Sequence, residues 1–217
     1  QAHEYAQEDA RISNVVLMGM GEPLLNLDNV IDCMETAQEP DGLGMSHRKI
    51  TLSTIGLVPQ LAELGRRSRI NLAVSLHGTT NEARSAIMPI NDTWSIEELI
   101  AALKVYPLPP RKAVTIEYIL LRGVNDDVQD AERLARLLRG LRSKVNLIPY
   151  NDNPFTQYKR PDDRAILAYQ EVLMSHGIHT ITRLNRGNDI AAACGQLGGY
   201  KQQHPRKRKR AETEETA

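Results

Sequence analysis

The chain has 217 residues, 41% of them hydrophobic and 25% charged, a composition that supports a sizeable core and one main domain. Basic and acidic side chains balance at 27 each, and the two cysteines are too few for a disulfide scaffold or a zinc cage. No stretch approaches the roughly 20 apolar residues of a membrane span, and the start Gln1-Ala2-His3-Glu4 has no signal-peptide pattern, so a cytoplasmic protein free of membranes is expected.

The first strand-like run, residues 14–19, is also the most informative, because it ends in Gly19-Met20-Gly21-Glu22-Pro23-Leu24-Leu25-Asn26. Gly19 and Gly21 allow the backbone to approach a ligand, Pro23 fixes the exit direction, and Glu22 stands where a ligand ammonium or hydroxyl can be held. A dinucleotide fingerprint is disfavoured, since its sixth position needs Gly or Ala and holds Leu24. Helical spacing follows at Val30, Cys33, Met34 and Ala37, which puts Cys33 on an apolar face as a buried, inert thiol.

Further apolar runs at 49–53, 71–76, 114–121 and 144–148 bring the number of predicted buried strands to five. Amphipathic helices lie between them, at Val58, Leu61, Ala62 and Gly65, and at Ala131, Leu134, Ala135 and Leu138. Ser95 and Glu98 form a capping box ahead of Ile96, Leu99, Ile100 and Leu103, and a last helix, about 162–176, leads to 178–183.

Strand and helix therefore alternate, which implies right-handed βαβ units and a parallel sheet. The strand ends favour a barrel over a doubly wound sheet: Gly21-Glu22, Ser53-Thr54, Ser75-Leu76-His77 and Tyr150-Asn151 are polar groups that a barrel would gather at one mouth. Five units are short of a complete barrel, so an open one, with its first unit missing, is expected. Singly, Ser53 and Thr54 read as helix caps, and His77 reads equally as a satisfied structural histidine or a catalytic one. Together they suit a nucleoside and an amino acid better than a metal.

Cys194 lies in Asn188-Asp189-Ile190-Ala191-Ala192-Ala193-Cys194-Gly195-Gln196-Leu197, a segment of small residues that would leave its sulfur accessible. Arg183 and Arg186 would raise its thiolate fraction if they fold toward it. From the residues alone the plainer reading is a chance surface cysteine.

The tail from Lys201 holds six basic and three acidic residues, leaving 21 basic against 24 acidic upstream. Arg206-Lys207-Arg208-Lys209-Arg210 would attract RNA phosphates, although a solvated, disordered tail over 201–217 is the plainer reading.

Taken together, Gly19 through Asn26, Thr51-Leu52-Ser53-Thr54, Ser75-Leu76-His77, Leu147-Ile148-Pro149-Tyr150-Asn151 and Arg186 through Leu197 resemble the RlmN/Cfr radical SAM methyltransferases, and RlmN more closely. The resemblance implies a partial (β/α) barrel of radical SAM type over 1–200, S-adenosylmethionine as cofactor, and methylation of carbon 2 of adenine in large-subunit ribosomal RNA and in transfer RNA. Carried over, Gly21 and Glu22 would hold the methionine end of S-adenosylmethionine, with Ser53, Ser75, Leu76, His77 and Asn151 lining the rest of its site. Cys194 would be the catalytic methyl carrier. Its S-methyl group would lose hydrogen to a deoxyadenosyl radical, add to the adenine, and be released when a second cysteine closes a disulfide. The family binds a 4Fe-4S cluster, fed by an electron donor, through a Cys-x-x-x-Cys-x-x-Cys motif that this sequence lacks. The chain begins at Gln1, and it is expected to be the C-terminal part of such an enzyme, monomeric and inactive alone. The alternative is a noncatalytic β/α module that binds RNA through its basic tail.

Overall fold

The computed structural model describes residues 12–152 and 156–183. Among them six strands form one sheet: β1 (Val15–Leu17), β2 (Ile50–Thr54), β3 (Asn71–Ser75), β4 (Val114–Leu120), β5 (Ser143–Pro149) and β6 (Thr180–Thr182). All neighbours are parallel and the spatial order follows the sequence, β1 to β6. A doubly wound sheet reverses its order at a switch point; this one never does, which is the topology of an open barrel.

Helices α1 (Leu27–Gln38), α2 (Val58–Arg67), α3 (Asn81–Ile87), α4 (Ile96–Val105), α5 (Val128–Leu137) and α6 (Asp163–Ser175) fill the connections. Their ends follow local chemistry. The expected capping box is present at α4, where the Ser95 hydroxyl accepts from the Glu98 amide and the Glu98 carboxylate accepts from the Ser95 amide. Thr80, Asp127 and Asp162 cap α3, α5 and α6. In α2, a proline in the first turn and Arg66 and Arg67 in the last match the helix dipole.

The core lies between the helices and one face of the sheet. Ile50, Leu52, Leu72, Val74, Val114, Ile116, Tyr118, Leu120, Val145 and Leu147 point into it, each at most 1% exposed. The opposite, concave face carries Thr51, Ser53, Asn71, Ser75, Thr115 and Asn146, all partly accessible. Hence β2 alternates buried and half-buried residues, and does not read as buried on both sides.

Two expectations are corrected. β1 is an edge strand, with Val16 59% exposed, because only β2 pairs with it among the described residues. Cys33 is exposed, because α1 turns Ile31 and Met34 into the core, flanked by Val30, and rotates position 33 outward. It is the one cysteine in the described residues and it is free, so the disulfide implied by the resemblance has no counterpart among them.

Candidate nucleotide site at the strand ends

The C-terminal ends of the strands converge on a cavity of about 430 Å³. Gly21, Glu22, Ser53, Ser75 and His77, five of the residues singled out in the sequence, line it. Leu17, Ile55, Ile119 and Ile148 add apolar walls. Pockets for small ligands combine apolar walls with a few convergent polar groups, typically within roughly 300–1,000 Å³.

Gly21 has φ of +103°, so only glycine is unstrained at the turn that leaves β1. That turn aims Glu22 at β2. Its Oε1 accepts from the Leu24 amide at 2.9 Å and the Thr54 hydroxyl at 2.8 Å, and Oε2 accepts from the Ile55 amide at 2.8 Å. The Thr54 oxygen in turn accepts from the Gly56 amide at 3.0 Å. Glu22 thus caps the 3-10 turn Pro23–Asn26 and latches the end of β1 to the end of β2. A carboxylate offers about four acceptor positions, so three protein donors leave one for a ligand.

His77 is held just as firmly. Its backbone is left-handed, φ 59°, a conformation that non-glycine residues keep only when their surroundings impose it. The cause is visible in its partners: Nδ1 accepts from the Ile119 amide at 3.2 Å, and its carbonyl accepts from Asn125 Nδ2 at 2.8 Å. Asn125 is fully buried and also joins the Leu121 amide and the Ile119 carbonyl, so one amide side chain ties the β3 and β4 ends together. Burial first, and the nearby Arg84 charge second, lower the His77 pKa to about 4, against a weaker opposing effect of the Glu117 carbonyl. The ring is neutral near pH 7, with its proton on Nε2 because Nδ1 is an acceptor. His77 is therefore a hydrogen-bonding group at neutral pH, not a cation.

Arg84, 1% exposed, lies beneath these loops. It donates to the carbonyls of Leu76 (3.2 Å), Trp94 (3.4 Å) and Ile55 (2.8 Å) and to Asn91 Oδ1 (3.0 Å). Burial lowers its pKa to about 10, which still leaves it charged. Sequence reasoning missed Arg84, because α3 is short and has no apolar period. It also missed Glu117, 4% exposed in mid β4, which lines the cavity beside Ser75, its register partner on β3. The signal available was a carboxylate inside the apolar run of β4.

The remaining expected residues are placed differently. Leu76 is buried and contributes its backbone: its amide donates to the Glu117 carbonyl at 3.0 Å and its carbonyl holds Arg84. Asn151, 7% exposed just past β5, is not on the cavity wall, but its Oδ1 is buried with no partner among the described residues. Cys194 and the tail lie outside the described residues. Among the described residues, no three His, Cys, Asp or Glu side chains are grouped to hold a metal, and no helix is long and apolar enough to cross a membrane.

Comparison with known proteins agrees with this geometry. Residues 1–138 match the family described as the Radical SAM superfamily. The chain is 54% identical over 188 residues to the dual-specificity RNA methyltransferase RlmN of Syntrophobacter fumaroxidans, covering 87% of this chain and 55% of that protein. It is 50% identical over 194 residues to the RlmN of Syntrophotalea carbinolica, covering 89% and 52%. A crystal structure of a radical SAM methyltransferase from Sphaerobacter thermophilus superposes with a TM-score of 0.82 at 44% identity, over 85% of this chain and 55% of that one. A domain of a pyruvate-formate lyase-activating enzyme from Bacteroides vulgatus shares the fold at 18% identity, with a TM-score of 0.61 over 80% of this chain and all of that one. The chain spans about half the length of the curated relatives it matches. Both of those relatives are named as enzymes, which does not favour the alternative of a noncatalytic binding module.

Proposed function

The chain belongs to the radical SAM superfamily, and from that premise we propose that it carries most of the S-adenosylmethionine site of an RNA methyltransferase acting on carbon 2 of adenine in large-subunit ribosomal RNA and transfer RNA. The observation that carries this reading is the meeting of Gly21, Glu22, Ser53, Ser75 and His77 around one cavity, although they come from three separate strand ends. The donor set suits the ligand. Glu22 has one acceptor position left for an ammonium, Ser53 and Ser75 offer hydroxyls to a sugar, and Ile119 and Ile148 offer apolar surface to a purine. The unpartnered Asn151 oxygen beside the β5 end is a further acceptor awaiting a donor.

When bound, S-adenosylmethionine supplies the transferable methyl group. Latched by Thr54 and Ile55, Glu22 orients the amino acid end, while His77, neutral at pH 7, presents a donor without repelling a sulfonium. Cys194 is the proposed methyl carrier. RNA is the proposed partner, and the chain is proposed to act within a longer, monomeric, cytoplasmic protein served by an electron donor. A 4Fe-4S cluster does not fit the residues present, since two cysteines in the whole sequence are fewer than the family's three. No step is assigned to it here.

The test is Cys194→Ala in the full-length protein, with RNA methylation and S-adenosylmethionine binding measured side by side. Methylation is expected to vanish while binding persists. Full methylation by the variant removes Cys194 from the reaction.

A further inference from the structure

Glu117 is a buried carboxylate that the fold does not need. It sits two residues before the cavity-facing Ile119, on the face of β4 turned away from the core, while Ile116 and Tyr118 on either side are fully buried against the helices. Its Oε2 accepts from Asn146 Nδ2 at 2.7 Å, across from it on β5. No ion pair within 4 Å includes it among the described residues. Burial raises its pKa, partly offset by the Asn146 hydrogen bond and by the charges of Arg183 and Lys144. A buried carboxylate with one neutral hydrogen bond destabilises the free protein, and such groups are retained where a ligand completes them.

Its position indicates what completes it. Across the cavity the lining changes from the Gly21-Glu22 turn at β1, through the Ser53 and Ser75 hydroxyls on β2 and β3, to Ile119 and Ile148 on β4 and β5. Glu117 is level with Ser75 and lies one same-face step, roughly 7 Å, below Ile119. The group between an amino acid end and a purine is a sugar, and a vicinal diol presents two O–H donors to a carboxylate.

Resting on the cofactor reading above, we propose that Glu117, oriented by Asn146, binds the ribose hydroxyls of the nucleoside held in this cavity. Ser75 stands beside it as a second partner for the same diol.

The experiment is calorimetric titration of the full 217-residue chain and its Glu117→Gln variant with S-adenosylmethionine and with its 2′,3′-dideoxy analogue, together with thermal melting of both proteins. The wild type is expected to prefer S-adenosylmethionine by roughly 10-fold or more, the usual contribution of a hydrogen bond to a charged group. In Glu117→Gln that preference collapses, the affinity for the dideoxy analogue stays as in the wild type, and the melting temperature rises. A merely structural role does not combine higher stability with selective loss of hydroxyl recognition. Glu117→Asp, which keeps the charge and shortens the reach, is expected to lose the preference without gaining stability, and serves if the glutamine variant does not fold. If the glutamine variant keeps the preference, or loses affinity equally for both ligands, the assignment of Glu117 is overturned while the cofactor site stands. If the wild-type chain binds neither ligand, the cofactor reading falls and the assignment with it.

Discussion

The two faces of the sheet are built from alternate residues of the same strands, yet they carry different tasks. In β2, Ile50, Leu52 and Thr54 face the helices while Thr51 and Ser53 face the concavity; in β3, Leu72 and Val74 are buried while Asn71 and Ser75 are accessible. One face holds the fold together. The other holds polar groups at fixed spacing and adds little to stability, since hydroxyls open to water gain little from folding. A strand thus serves as a ruler, setting functional groups about 7 Å apart on a backbone that the opposite face immobilises.

Neighbouring substitutions break this comparison most sharply. Leu52→Ala on the buried face is expected to cost roughly 2–5 kcal/mol in urea unfolding, whereas Ser53→Ala, the next residue, leaves the unfolding curve nearly unchanged and weakens S-adenosylmethionine binding. Equal losses of stability would show that the concave face is structural too.

Arg84 is where the two tasks meet, because it is buried among core residues and fastens the loops that present Ile55 and Leu76. Arg84→Met strands three carbonyls that it now serves, and a loss of about 3 kcal/mol is expected. Ligand affinity should fall as well, although Arg84 does not line the cavity. Unchanged affinity in a folded variant would separate the loops from the site.

The smallest effect concerns pH. The His77 pKa is lowered from 6.5 to about 4, so between those values the unfolded chain binds the proton that the folded one refuses. His77 therefore contributes stability that is complete above pH 6.5 and is lost as pH falls toward 4. Denaturant unfolding across that window should show a slope in the wild type that His77→Gln flattens. An identical slope in the variant would mean that the ring is not confined as described.

Much of this was legible in the sequence, for physical reasons. β-Branched runs marked the strands, alternation marked parallel pairing, and Ser95 with Glu98 marked the start of α4. Polar residues at apolar strand ends marked Gly21, Glu22, Ser53, Ser75 and His77. What escaped depends on position in space. Val15-Val16-Leu17 has the composition of a buried strand, and only its place at the sheet edge exposes Val16. Cys33 lies at a helical spacing that two phases fit, and Ile31 decides between them. In α3 the residue that packs inward is Arg84, which no apolar pattern reveals. Glu117 was hidden because it interrupts a strand instead of ending one.

The most direct test of the site is to follow backbone amide resonances while the chain is titrated with S-adenosylmethionine. Saturable shifts are predicted at Gly21, Leu24, Ile55, Ser75 and His77, while the amides of α5 and α6, on the helical side of the sheet, stay still. Shifts confined to the helical side, or no saturable shift at the strand ends, would contradict the account.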